Sequence, residues 1–332
     1  MRRLRILTWH VHGNYLWYLS QVAHDIFLPV RPGGGDGYGD RGASFPWGDN
    51  VHEVPAEEVR DLDLDVVLTQ SHRNWAEDRP ALLSPAQLGL PRVHVEHDPP
   101  RASPTDTPHP IDDPDVLLVH VTSFNRLMWD SGRTPTRVIE HGVVIPDGVR
   151  YGGELERGLV VVNGLAQRGR RLGADVFEQA RAEVPLDLVG MQSEGIGGLG
   201  EVPPTRLAAF AAQYRFFFNP IRWTSLGLAV CEAMTIGLPI VALATTEMVT
   251  VVEDGVSGFI ATDLDRLIGA MHNLLGDAGL AAEMGRAARR TALERFSIDR
   301  FVDDWDDAFR LVTGDIERSR PRAPRLSARQ TG

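Results

Sequence analysis

The chain has 332 residues, of which 43% are hydrophobic and 24% charged, so it has the composition of an ordinary soluble globular protein and enough length for two domains. A formal net charge of −11 argues against a general nucleic-acid binder. All 34 basic residues are arginine, which excludes a Schiff-base lysine and requires any anion clamp to be built from guanidinium groups. The single cysteine, Cys231, excludes a disulfide framework and a Cys-based zinc site.

The first apolar run, residues 4–11, is short and is interrupted by Arg5 and His10, unlike a signal peptide. No window approaches the apolar length that spans a bilayer. We therefore expect a reduced, cytoplasmic protein.

The first half of the chain alternates strand patterns with helical or loop segments. A strand is predicted over 5–9, a helix over 15–22 and a short strand over 27–30. Residues 31–50 contain seven glycines and two prolines and predict a long loop, of the kind that is usually functional or mobile. Further buried strands are predicted over 66–68, 93–95, 116–119 and 138–139.

The second half repeats this alternation. Strands are predicted over 159–162, 186–189 and 216–218, and helices over 171–183, 205–214, 263–276, 278–295 and 298–312. The pattern predicts an α/β fold of two doubly wound domains that face a cleft. The predicted divisions are an N-terminal domain (1–145), a linker (146–158), a C-terminal domain (159–296), a last helix (297–314) and a disordered tail (315–332).

The most informative stretch runs from Asn219 to Ile260. Thr224 and Ser225 precede an apolar helical run and predict its N-cap, and Gly237 ends the helix. Free N–H groups at such a helix start suit a phosphate. Glu232 is a lone carboxylate inside the apolar run, and ribose hydroxyls would supply the hydrogen bonds that it needs.

This stretch resembles the glycosyl transferases group 1 family, whose members are retaining glycosyltransferases of the GT-B fold. The match includes Gly227-Leu228, Glu232-Ala233-Met234, Gly237, Pro239 and the later run Val251–Phe259. The resemblance implies two Rossmann-like domains and a C-terminal helix that crosses back onto the first domain. It also implies transfer of a sugar from a nucleotide-diphosphate donor to a hydroxyl acceptor, a glycan, a glycolipid or a small molecule, with no cofactor and no metal required.

The resemblance also implies roles for particular residues. The expected catalytic residues are His97, Arg171 and Glu247. The expected donor-binding residues are Gly13, Arg168, Arg171, Thr224, Ser225, Leu226, Gly227 and Glu232. On the acceptor side we expect His12, Tyr38 and Trp47, because aromatic faces suit stacking on sugars.

Three departures from the family pattern affect these expectations. The first acidic residue of the signature falls on Thr224, and the hypothesis is that Glu247 supplies the missing carboxylate. The family's Gly-Gly pair falls on Thr246 and Glu247. The first phosphate-binding arginine falls on Gly164, which leaves Arg168, Arg170 and Arg171 as open alternatives for the diphosphate clamp.

Other interpretations stay open at this stage. A non-catalytic nucleotide-sugar-binding protein is one, because of Thr224 and Gly164, and a GT-B sugar-nucleotide epimerase is another. No metal site is expected, since His94 and His97 point to opposite faces of a strand. The expected partners are the donor and the acceptor, with no nucleic acid and no transmembrane segment, and the oligomeric state is open.

Overall fold

A computed structural model of the chain describes residues 2–35 and 37–314, so the tail predicted at 315–332 lies outside the described residues. Two parallel β-sheets with helices on both faces form the architecture. This confirms the predicted fold of two Rossmann-like units. Within the described ranges, no helix is long and apolar enough to cross a bilayer.

The first sheet contains seven parallel strands. They are β1 (Arg5–Leu7), β2 (Asp25–Val30), β3 (Val51–Pro55), β4 (Val66–Thr69), β5 (Arg92–Glu96), β6 (Val116–His120) and β7 (Thr136–Val138). Their order across the sheet is β3-β2-β1-β4-β5-β6-β7. The helices of this half are α1 (Gly13–Leu19), α2 (Arg79–Leu82), α3 (Pro85–Leu88) and α4 (Ser123–Met128), with a 3₁₀ turn at Ala56–Asp61 and a π turn at Asn74–Asp78.

The second sheet contains five parallel strands. They are β8 (Leu155–Val161), β9 (Leu186–Val189), β10 (Tyr214–Asn219), β11 (Ile240–Leu243) and β12 (Gly258–Ala261), in the order β12-β11-β10-β8-β9. The helices are α5 (Leu165–Leu172), α6 (Ala174–Arg181), α7 (Pro204–Ala211), α8 (Leu228–Ile236), α9 (Met248–Val251), α10 (Leu264–Gly276), α11 (Ala278–Arg295) and α12 (Ile298–Thr313), with a 3₁₀ turn at Glu194–Ile196.

Helix α12 crosses back onto the first half, as predicted. Phe301, Trp305 and Phe309 are spaced one turn apart and are fully buried, with the ring of Phe309 5.6 Å from that of His24. At the start of the helix, the Arg300 guanidinium donates to the carbonyl of Glu140 at 2.9 Å. An apolar stripe at this spacing must face a core, and here it faces the N-terminal half.

Several predicted boundaries were wrong. The helix predicted over 171–183 spans the end of α5 and the whole of α6, which are separated at Gly173, where φ is 79°. Strand β8 begins at Leu155, inside the range predicted as a linker. Strand β3 was not predicted at all, because it follows the glycine-rich loop without a strong alternating pattern.

Candidate active site

In both sheets, the strand order reverses beside the first strand of the half, between β1 and β4 and between β8 and β10. Ligands of open α/β sheets bind at such switch points, beyond the carboxyl ends of the strands. The loops that leave these strand ends carry His12 and Gly13 in the first half, and Gly164 to Arg171 and Pro220 to Gly227 in the second. The topology therefore brings most of the predicted site residues to one cleft.

The segment after β8, residues 164–172, includes the kinked helix α5 and is called the arginine loop below. It carries Arg168, Arg170 and Arg171, and these three side chains differ in their partners. Arg170 is paired with Asp175, which also accepts two hydrogen bonds from Arg222 at 2.6 and 2.8 Å. Arg168 and Arg171 make no ion pair or side-chain hydrogen bond with any residue in the described part of the chain. Asp175 therefore neutralises Arg170 and leaves the other two guanidinium groups available for an anion.

Two glycines set the direction of these arginines. Gly169 has φ 57° and ψ −140°, a conformation open mainly to glycine, and it breaks α5 between Arg168 and Arg171. At Gly173, an added Cβ would lie 1.9 Å from the Pro220 carbonyl oxygen. This close approach holds the arginine loop against the segment that leads to α8.

Helix α8 begins later than the sequence predicts. Gly227 is its N-cap residue, with φ −71° and ψ 136°, and no side chain caps the helix. Ser225 is not the cap, because its hydroxyl donates to the His97 carbonyl at 2.7 Å. An added Cβ at Gly227 would meet no atom within 4 Å, so the uncapped helix start faces open space. An uncapped N-terminus with room in front of it can accept a phosphate.

Glu232 lies five positions beyond the N-cap and is half-buried. The Tyr18 hydroxyl from α1 donates to its Oε1 atom at 2.7 Å. Burial raises the pKa of Glu232, and hydrogen bonds from Tyr18 and Asn14 partly offset the rise. A cavity of only about 10 Å³ lies beside this carboxylate, lined in part by Val161 and Phe217. The cavity has room for about one water, and the residues that line it all belong to the second half.

His97 follows β5 and packs edge-on against His12, at 4.4 Å between ring centroids, and against Tyr15 at 4.6 Å. Its Nε2 atom is buried and has no hydrogen-bond partner within the described ranges. Burial, together with the neighbouring imidazoles, lowers the pKa of His97 well below 6.5. The pKa of His12 is also lowered, mainly by burial. Both rings are therefore neutral near pH 7 and can exchange hydrogen bonds but supply no charge.

The structure does not place Glu247 as the sequence hypothesis requires. Its side chain is 2% exposed, and one oxygen accepts the backbone N–H of Phe124 at 2.8 Å. The other oxygen accepts the Thr250 hydroxyl at 2.6 Å and lies 3.7 Å from Arg295. The carboxylate thus fastens the two halves together, and contact with a sugar would require these bonds to break.

Thr224 is half-buried, and its side chain makes no hydrogen bond within the described residues. Thr246, another departure from the family pattern, has a positive φ of 51°. A β-branched residue in this left-handed region is strained.

The aromatic residues of the loop 31–50 separate into two groups. Tyr38 is 2% exposed, and its hydroxyl donates to the buried Asp78 at 2.8 Å, so its ring belongs to a core cluster of the first half and its contact with an acceptor stays a prediction. Trp47 is half-buried and packs against Phe45, which stacks on Trp17 at 5.4 Å. Phe45 lies beside Gly13, so this second group borders the cleft.

Three residues with metal-ligand side chains also cluster at the end of β5, where candidate atoms of His94 and Glu96 in the strand and of His109 lie within 4.8 Å of one another. Nδ1 of His109 accepts the backbone N–H of Ile111 at 3.1 Å. The ring proton of His109 is therefore on Nε2, which donates to Glu96 at 3.3 Å. A protonated nitrogen cannot ligate a metal, so this arrangement is a hydrogen-bond network that holds the loop after β5.

Sequence reasoning missed two residues of the N-terminal half that contact Glu232 and one contact that the second half makes with the first. Tyr18 and Asn14 lie one turn apart on α1 and both contact Glu232. The Trp223 indole donates to the Pro100 carbonyl at 2.9 Å. The aromatic-rich pattern at 15–22 was visible in the sequence, but a tyrosine on an amphipathic helix is more often a core residue than a site residue.

Comparison with known proteins agrees with this geometry. Residues 173–277 match the family model described as glycosyl transferases group 1. The curated D-inositol 3-phosphate glycosyltransferase of Acidothermus cellulolyticus is 34% identical over 130 residues, which cover 39% of this chain and 28% of that protein. The matched part thus spans less than a third of that relative.

Two solved structures share the fold over nearly the whole chain. Sucrose-phosphate synthase from Thermosynechococcus elongatus aligns with a TM-score of 0.67 at 16% identity, covering 95% of this chain and 100% of that one. Anabaena HepE, solved with UDP and glucose, aligns with a TM-score of 0.60 at 15% identity, covering 92% and 99%. The chain therefore has the GT-B fold, and its residues 173–277 match the family model of glycosyl transferases group 1.

Proposed function

We propose that this protein is a retaining glycosyltransferase that moves a sugar from a nucleotide-diphosphate donor to a hydroxyl acceptor. One observation carries the proposal: Arg168 and Arg171 are unpaired and lie beside the open start of α8. The Arg171 carbonyl accepts the N–H groups of Arg222 and Trp223, both at 3.1 Å, which holds the arginine loop against the segment entering α8. Unpaired guanidinium groups next to a helix N-terminus form a site for a diphosphate.

The donor would lie across the carboxyl ends of β8 and β10. Arg168, Arg171 and the first N–H groups of α8 would hold the diphosphate, and Glu232 would accept hydrogen bonds from the ribose. Thr224, Ser225 and Leu226 form the wall of this site, and Gly13 faces it from the first half. Anabaena HepE, which shares the fold, was solved with UDP and glucose, and this supports a nucleotide-sugar donor.

In the proposed reaction, the bond between the anomeric carbon and the donor phosphate oxygen breaks as the acceptor oxygen bonds to the same face of that carbon. The acceptor proton passes to the departing phosphate oxygen, so no protein nucleophile is needed. Arg168 and Arg171 stabilise the charge that develops on the leaving group. His97, which is neutral, orients the sugar through its free Nε2 atom instead of supplying a proton.

The acceptor would bind on the N-terminal half, against His12 and the aromatic group of Trp17, Phe45 and Trp47. Glycans, glycolipids and small molecules remain possible classes. The name of the curated relative points to a small phosphorylated polyol, which makes such a compound the first acceptor to assay. The guanidinium clamp neutralises the diphosphate, and we propose that turnover needs no divalent cation, so EDTA should not abolish it.

Thermal shift with UDP-, GDP- and ADP-sugars tests the donor site, because a ligand at 100 times its Kd stabilises the folded state by about 2.7 kcal/mol. NMR of the product's anomeric centre then tests retention. Arg171→Ala and Glu232→Gln should abolish the shift, whereas Arg133→Ala, on an exposed arginine paired with Asp112, should not.

Two results would contradict the proposal. If no nucleotide sugar stabilises the protein, the donor site is wrong. If a nucleotide sugar binds but is never hydrolysed or transferred with any acceptor, the protein is a binding protein and not an enzyme. Interconversion of free sugar nucleotides would identify an epimerase.

A further inference from the structure

The loop that follows β5 in the N-terminal half is fastened to the arginine site of the C-terminal half. The Pro100 carbonyl accepts the Trp223 indole N–H at 2.9 Å, and the backbone N–H of Trp223 donates to Arg171 at 3.1 Å. Nearby, the Ser225 hydroxyl donates to the His97 carbonyl at 2.7 Å. Arg101 follows Pro100 directly, so it lies at this junction although it belongs to the other half.

The Arg101 side chain is held in place but remains accessible. It is 59% exposed and is paired with Asp98. Asp98 is itself fixed, because its N–H donates to Glu96 at 2.9 Å and its carbonyl accepts the Trp129 indole at 2.8 Å. Asp98 therefore anchors the Arg101 guanidinium at the rim of the cleft, where a ligand can reach it.

The charges at this junction do not balance. Arg101 and Asp98 act electrostatically on both Arg168 and Arg171, whose pKa values are lowered first by burial and then by neighbouring guanidinium charge. His12 lies within reach of the same charges. Three guanidinium groups thus face one carboxylate, an excess of two positive charges in a chain whose formal charge is −11. Such a local excess matches a diphosphate.

We propose that Arg101 is a third guanidinium of the donor-diphosphate site, contributed by the opposite half, and that Asp98 holds it there until a phosphate arrives. This inference rests on the proposed function. It implies that the diphosphate is bound from both sides of the cleft, so that donor binding favours closure. A nucleoside monophosphate lacks the second phosphate and gains less from Arg101.

The test measures Kd values of ADP, GDP and UDP, and of their monophosphates, for the full chain by calorimetry. For the base that binds, Arg101→Ala should weaken diphosphate affinity about tenfold or more, because charge-assisted hydrogen bonds are lost. Monophosphate affinity should change less than about threefold, since the second phosphate makes the contact. Arg101→Lys should restore part of the loss, and Arg133→Ala is the matched control. The salt dependence of diphosphate binding should also become shallower in Arg101→Ala.

The two proposals can fail separately. If the unaltered protein binds no nucleoside diphosphate, the proposed function fails first. If it binds one, and Arg101→Ala leaves its Kd and salt dependence unchanged, the role of Arg101 is wrong while the donor site stands. An equal loss for monophosphate and diphosphate would also overturn it, since the effect would then not depend on the second phosphate.

Discussion

The Tyr18 hydroxyl donates to Oε1 of Glu232 at 2.7 Å and joins α1 of the N-terminal half to α8 of the C-terminal half. This bond occupies the carboxylate that we assign to the ribose. A donor must therefore replace a protein hydroxyl with its own. The Tyr18 hydroxyl thus competes with the donor ribose for this carboxylate oxygen.

Tyr18→Phe tests this competition. The variant should bind nucleoside diphosphate about threefold to tenfold more tightly, because the ribose no longer displaces a hydrogen bond to a charged group. The free protein should lose about 1–3 kcal/mol of unfolding free energy for the same reason. Calorimetric Kd values and denaturant unfolding measure both effects.

Tyr214→Phe is the matched control, since the Tyr214 hydroxyl donates to Asp187 at 3.0 Å. Both residues lie near the amino ends of their strands, away from the carboxyl ends that carry the site. It should reduce stability without changing nucleotide affinity. Weaker nucleotide binding in Tyr18→Phe would show that Tyr18 helps to hold the donor and would contradict the competition.

Glu247 is expected to act as a structural clamp. Glu247→Gln removes the charge that faces Arg295 and weakens the bond from the Phe124 N–H. We expect a loss of about 1–3 kcal/mol in unfolding free energy, because the carboxylate is buried. Donor affinity should change less than about threefold, since the carboxylate does not face the donor site. A large loss of turnover with unchanged stability would restore the hypothesis that Glu247 contacts the sugar.

Thr246 stores backbone strain that glycine would relieve. The left-handed conformation costs a non-glycine residue about 1–2 kcal/mol, and glycine adds about 0.5–1 kcal/mol of unfolded-state entropy. Thr246→Gly should therefore stabilise the protein by about 0.5–1 kcal/mol. Thr245→Gly, at a position without positive φ, should destabilise it by roughly 1 kcal/mol. Chemical denaturation measures the unfolding free energy of both variants. If this free energy changed in the same direction in both, the backbone strain at Thr246 would be refuted.

Buried histidines should make the protein sensitive to acid. Burial lowers the pKa of His141 from 6.5 to about 4, although its Nε2 donates to the Leu226 carbonyl at 2.8 Å. Between these pH values the unfolded chain binds more protons than the folded one, so stability falls as the pH falls. Each such imidazole contributes about 1.4 kcal/mol per pH unit to the slope of the unfolding free energy against pH.

His141→Gln, which keeps a donor for Leu226, should remove about 1.4 kcal/mol per pH unit from this slope. The exposed His72→Gln is the control and should leave the slope unchanged. Unfolding free energies measured between pH 4 and 6.5 decide the matter. An unaltered slope in His141→Gln would show that this residue is not buried as a neutral group.

Local pattern was sufficient for much of the fold. Residues 116–119 of β6 and 216–218 of β10 are continuous apolar runs, and α12 carries its aromatic residues at helical spacing. The start of α8 was misplaced because Ser225 is a good N-cap residue by type, yet its hydroxyl bonds to His97 in the other half. A cap preference of about 1 kcal/mol is easily overridden by a tertiary hydrogen bond.

The sequence by itself determined the α/β alternation, the crossing helix and the motif from Gly227 to Gly258, because each depends on residues close together in the chain. Only the tertiary structure decided that Arg168 and Arg171 are the unpaired arginines, since Asp175 neutralises Arg170 through a contact that no spacing rule specifies. It also decided that Tyr18 covers Glu232 and that Arg101 faces the arginine loop. Tyr18 and Glu232 lie far apart in sequence, as do Arg101 and Arg171, and only the packing of the two halves against each other brings the members of each pair together.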